Sequence, residues 1–135
     1  MKSAFLTINV CLLMAACSTA NVTHLKTEYL GIDVNEKGYI VGMWNTTRSD
    51  SRNFSPNDRP SPLLSLYDEE ARRYYYPEKA DFDKKSGICE LHYSNGSVAK
   101  VKVEPTDKYI RMELCSVEPR NGIDDVQWAT AQLIC

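Results

Sequence analysis

Gly87-Ile88-Cys89-Glu90-Leu91-His92-Tyr93-Ser94-Asn95-Gly96-Ser97-Val98-Ala99-Lys100-Val101-Lys102-Val103 is the stretch that decides the fold. Side chains of a strand point alternately to its two faces, so a half-buried strand alternates apolar with polar residues. Cys89, Leu91 and Tyr93 share one face before the turn. Val101 and Val103 alternate with Lys100, Lys102 and Glu104 after it. Between them stands Asn95-Gly96, a pair suited to the positive φ angles of a tight hairpin turn. One face is dry, one is wet, and the two strands run antiparallel.

The same grammar extends outward. Pro105-Thr106-Asp107 turns the chain into Tyr109–Val117, where Ile110, Met112 and Leu114 face one way and Arg111, Glu113 and Cys115 the other. Pro119–Gly122 turns it again, and Asp124–Trp128 starts a further strand. Upstream, Leu63–Tyr67, Arg72–Tyr76 and Ala80–Asp83 read as short strands, with a turn at Asp68-Glu69-Glu70. Asn45–Pro62 is rich in Asn, Ser, Asp, Arg and Pro and reads as a long surface loop. Before it, Glu28–Val34 and Tyr39–Trp44 flank Asn35-Glu36-Lys37-Gly38, a second hairpin. No stretch keeps helical spacing. Regular short strands with turn signals predict an all-β chain, an antiparallel β-sandwich or part of one.

With a formal net charge of −2, the 135 residues carry no electrostatic footprint for nucleic acid. That length allows one domain. His24 and His92 are far apart, and no CxxC or HxxxH spacing occurs, so neither a metal nor a cofactor is expected. Of five cysteines, Cys89 and Cys115 are the pair to consider for a disulfide. Strand alternation points Cys89 inward and Cys115 outward, which favours a buried free Cys89 and an unpaired surface Cys115.

The N-terminus has the layout of an export signal: Lys2, an apolar run from Ala4 to Ala16, then small residues before Cys17. The run is too short to span a bilayer as a helix, which needs ~20 apolar residues. Leu13-Met14-Ala15-Ala16-Cys17 looks like a lipobox, cut before a cysteine that then carries lipid. The alternative is plain secretion with cleavage near Ala20. The expected organisation is therefore a signal peptide over 1–16, a polar linker over 17–26 and a β-sandwich-like domain over 27–135. The membrane partner would be reached through lipid on Cys17, with the protein exported and anchored at the cell envelope, on the outer membrane.

Six segments together resemble a known family. They are Pro60–Tyr67, Tyr75-Tyr76-Pro77, Leu91–Gly96, Ala99–Val103, Tyr109-Ile110 and Gly122–Trp128. In that order they look like the N-terminal region of large exported, glycoside-hydrolase-like proteins of gut Bacteroidetes. The resemblance covers roughly Thr27–Trp128. It implies a galactose-mutarotase-like β-sandwich followed, in those proteins, by a catalytic barrel. Here Trp128 is followed by Ala-Thr-Ala-Gln-Leu-Ile-Cys instead, so the reading expects a domain incomplete at its C-terminus, the product of truncation.

Glycosidases need two carboxyl groups across a cleft. The acidic pairs here sit beside turns, where solvated carboxylates are usual, and the resemblance puts the catalytic acids in the barrel. No catalytic residue is assigned, and the chain is not expected to be an enzyme. Sugar binding needs aromatic faces and planar polar groups. Trp44, Arg48, Tyr75 and Trp128 are the candidate carbohydrate contacts. Tyr75 should face opposite to Tyr74 and Tyr76, so one side of that run belongs to the core. Two functions follow as expectations: a non-catalytic accessory module of a glycoside-hydrolase-like protein, docking on its barrel, or a complete small envelope lipoprotein that binds a glycan or protein partner.

Overall fold

The computed structural model describes residues 21–49, 52–55 and 59–129. Eleven strands follow one another: β1 (Thr23–Lys26), β2 (Leu30–Val34), β3 (Tyr39–Asn45), β4 (Ser61–Pro62), β5 (Leu64–Asp68), β6 (Arg73–Tyr75), β7 (Pro77–Asp83), β8 (Ile88–Tyr93), β9 (Val98–Pro105), β10 (Ile110–Glu118) and β11 (Asp125–Trp128). Among the described residues there is no helix. Three antiparallel sheets form, in the orders β1-β2-β3-β4, β10-β9-β8-β7 and β11-β5-β6. The chain is all-β and sandwich-like, as its alternation predicts.

The hairpin of β8 and β9 is the centre. Gly96 has φ 84°, the left-handed conformation that its position in the turn requires. Cys89 faces Val101 and Leu91 faces Ala99, so all four lie on the same side of the sheet. Leu91, Ala99 and Val101 are fully buried. The other side carries Lys102, Lys100, Glu90 and His92, joined by ion pairs such as Lys102–Glu104 at 3.0 Å and Lys100–Glu90 at 3.8 Å. Exposed pairs of this kind contribute little energy. They do keep the face wet, which leaves only the other side for the core.

That core draws on all three sheets. Leu25, Ile32, Val34 and Ile40 come from β1 to β3. Leu64 and Leu66 come from β5, and Cys89, Leu91, Tyr93, Ala99, Val101 and Val103 from β8 and β9. Tyr93 ties two sheets together: its buried hydroxyl donates to the Leu64 carbonyl at 2.8 Å. A buried hydroxyl needs such a partner, because leaving it unpaired costs about 1–3 kcal/mol. The hairpin tip is tied down as well. Ser97 Oγ donates to the Pro119 carbonyl at 2.6 Å, and Asn121 Nδ2 donates to that of Asn95 at 2.9 Å.

Two expectations change. The segment 17–26 is not linker throughout: Thr23–Lys26 is β1, paired with Gly31–Val34. Only Leu25 of the four is buried, so an edge strand reads as polar sequence. Tyr74 and Tyr76, rather than Tyr75, are the accessible tyrosines of their run, at 44% and 50% exposure. Tyr75 is half-buried and packs on the core. The two cysteines behave as the alternation predicts: both are free, Cys89 buried and Cys115 exposed. The expected signal segment 1–16, Cys17 and the residues after Ala129 lie outside the described residues.

Candidate tyrosine platform

Sheet register decides which aromatic groups can act together. In the three-stranded sheet Tyr67 faces Tyr74, and Asp125 faces Tyr67. These three therefore share the outer side. Leu66, Tyr75 and Val126 form the neighbouring row on the core side. Trp128 faces Leu64, so it belongs to the core side too, at the sheet's end, and is 40% exposed there. Of the expected contacts, Tyr75 and Trp128 thus lie on the side away from the accessible tyrosines.

The outer side carries a continuous aromatic stripe. Tyr67 and Tyr74 have ring centroids 4.7 Å apart at an interplanar angle of 45°. Tyr74 and Tyr76 follow at 6.4 Å and 15°, nearly parallel. Asp125 and Gln127 stand on this side of β11, both exposed. Tyr39 lies beyond Tyr76. Its hydroxyl is raised above the ordinary phenol value by burial first, then by Tyr76 and Glu78. There an open groove of about 720 Å³ is lined by Asn35, Lys37, Tyr39, Pro77 and Glu78. Three rings, a carboxylate and a carboxamide on one surface, with a mixed polar and apolar groove at one end, can stack on flat apolar faces and hydrogen-bond to hydroxyl groups.

Trp44 stands elsewhere, on the four-stranded sheet of β1 to β4. It faces Gly31, and a Cβ on Gly31 would come within 2.6 Å of its Cζ2 atom. The indole thus covers Gly31, which is buried. His24 and Asp33, hydrogen-bonded to each other, share that side with Trp44. Arg48 is exposed, just past the Thr46-Thr47 turn that follows β3. The expected contacts are therefore spread over two sheets and not gathered into one site. Alternation over Arg73–Tyr76 could have found Tyr74 and Tyr76. Tyr67 could not be found that way, because its place beside Tyr74 comes from strand pairing.

No histidine, cysteine or carboxylate group of three or more is placed to hold a metal ion among the described residues. Comparison with family models, with curated proteins and with solved structures gives no match to this chain. Its class rests on the fold itself: an all-β, sandwich-like domain with an aromatic platform on one outer sheet face.

Proposed function

We propose that this chain is a non-catalytic, carbohydrate-associated β-sandwich module of an exported protein, held at the cell envelope by lipid on Cys17. The stripe Tyr67-Tyr74-Tyr76, with Tyr74 and Tyr76 exposed and Tyr67 half-buried, is the observation that carries the reading. Exposed aromatic residues gain meaning as a patch, and these three adjoin with polar groups beside them. A pyranose has an apolar face of axial C–H groups that rests on such rings, while Asp125 and Gln127 bond its hydroxyls. The resemblance over Thr27–Trp128 adds the expectation of a glycosidase barrel as the partner that would use the bound glycan.

Affinity electrophoresis through gels containing soluble polysaccharides tests the platform. The chain should be retarded by at least one glycan. Tyr74→Ala and Tyr76→Ala should each weaken retention about tenfold, roughly 1.4 kcal/mol per ring. Trp128→Ala, on the other side of the sheet, should leave it unchanged. Equal retention of the tyrosine variants and the parent would refute the platform.

The anchor has its own test. Growth with an alkyne-tagged palmitate should label the chain in a bacterial host, and Cys17→Ala should abolish the label. Labelling that survives Cys17→Ala would place the lipid elsewhere. Lipid on this residue matters because several acyl chains hold a protein to a bilayer where one does not.

A further inference from the structure

Every strand edge offers unpaired N–H and C=O groups to another strand, and proteins blunt such edges by shortness, proline or cover. Here β1, β4, β6 and β11 have four residues or fewer. The β7 edge opens on Pro77, and its Ala80 N–H is taken by the Glu36 carbonyl at 2.7 Å. The edge of β10 is different. It is nine residues long, the last strand of its sheet, and no strand lies on its other side among the described residues.

Its sequence is self-complementary about its midpoint. Against β9 the register steps from Leu114↔Val101 to Ser116↔Lys100, so Cys115 is an extra, bulged residue. The bulge shifts the alternation of faces. Arg111 and Glu113 point outward before it, and Ser116 and Glu118 outward after it, each opposite an outward residue of β9. Met112, Leu114 and Val117 lie on the core side and are only half-buried. Place a second copy antiparallel with the two-fold axis between Leu114 and Cys115, at the middle of the strand. Arg111 then meets Glu118 of the other copy, Met112 meets Val117 and Glu113 meets Ser116, while the Leu114-Cys115 steps of the two copies meet at the axis. Each of the three outer pairs matches face with face. The two Arg111–Glu118 pairs are opposite charges, and the apolar pairs cover side chains whose open flank is now wet. A bulge away from the centre would break this symmetry; at Cys115 it permits it.

Space and charge beside the edge fit as well. A groove of about 500 Å³ runs between β10 and β11, lined by Leu114, Glu118, Arg120, Asp124 and Asp125 among others. Its acidic groups outnumber its one base at the end where the incoming Arg111 would arrive. We infer that β10 is a self-pairing edge, through which two copies of this chain join their four-stranded sheets into one of eight strands. The inference does not depend on glycan binding: the tyrosine stripe lies on another sheet, and Asp125, which borders both the stripe and the groove, takes part in none of the strand pairs.

Charge reversal tests the register. The full chain, purified in detergent, should sediment as a dimer at micromolar concentration. Arg111→Glu places like charges opposite each other twice per dimer, and the dissociation constant should rise about tenfold or more. Glu118→Arg should do the same, and the double variant R111E/E118R should restore the parent's dimer. In parallel, a short bis-maleimide should cross-link two parent chains through Cys115, beside the axis, and Cys115→Ser should lose that product. The reversal makes the result independent of any association through the apolar N-terminus, which all variants share. Monomers throughout, with the edge left for a strand of another protein, overturn the inference. So does a double variant no better than the single ones while circular dichroism shows the same strand content, or cross-linked parent dimers whose digests contain no Cys115–Cys115 peptide.

Discussion

Leu91→Ala is expected to destabilise the fold by about 3–5 kcal/mol, the upper part of the range for burying a large aliphatic side chain and then removing it. The side chain has no exposed surface and sits on β8, in the middle of the core. It reaches the turn between β2 and β3: a Cβ on Gly38 would stand 2.7 Å from Leu91 Cδ2. That contact joins two sheets. The cost of such a truncation depends on whether the surroundings can collapse into the gap. Here they cannot move far. Gly38 is fixed at φ 88°, and its turn is held by Asn35 Oδ1, which accepts from the Lys37 and Tyr39 N–H groups at 3.0 and 2.9 Å. On that side the gap is walled by the backbone of the turn, which cannot close it. Urea unfolding at neutral pH measures the loss. A change below about 1 kcal/mol would mean that β8 does not pack on that turn, since even a surface-like site loses less than a core one.

The same hairpin shows which parts of the fold are legible in sequence. Alternation along β8 and β9 marks the buried face because the opposite face is held wet by lysines and carboxylates. Asn95-Gly96 marks the turn because few residues tolerate its backbone. Both signals are local. Those that fail depend on pairing. Thr23–Lys26 has one buried residue and looks like linker, yet β2 supplies all it needs to be a strand. The tyrosine run is half legible: alternation separates Tyr75 from its neighbours, but the outward side is set by Leu66, which pairs with Tyr75 and is fully buried. Trp128 looks like a binding group from sequence because its indole offers an aromatic face. Its opposition to Leu64 puts it on the core side of β11, where it is still 40% exposed. Trp44 is placed by Gly31 on the partner strand, a relation between residues thirteen apart in sequence. Site prediction from one sequence stops where the choice of face depends on a partner strand.

Alkaline pH should destabilise this protein, and between pH 9 and 11 Cys89 is the main reason. Burial pushes its thiol from 9.0 up to about 11, with Asp81 and Glu90 adding to the effect. Burial raises the Tyr93 hydroxyl above its ordinary 10.0 as well, with Cys89 and Tyr39 contributing. For an acid whose value is raised by folding, the unfolded chain releases its proton first. Stability is fully present below pH 9, where Cys89 is protonated in both states. It falls as the pH climbs from 9 towards 11, because only the unfolded state gains by ionising. Over that window Cys89 alone removes roughly 2–3 kcal/mol. Tyr93 adds to the loss above pH 10, where its ionisation would also have to abandon the bond it donates to Leu64. Urea unfolding repeated from pH 7 to 10.5 reads the slope. Cys89→Ala should begin about 1 kcal/mol lower at pH 7, from the small gap it leaves. It should then lose less between pH 9 and 10.5, so the two curves converge. Parallel curves would assign the alkaline loss to surface charge and not to the buried thiol. Thiol chemistry gives a second reading on the same residue. A thiolate is the reactive form, so a disulfide reagent at pH 8 should modify exposed Cys115 in the folded chain and reach Cys89 only after unfolding.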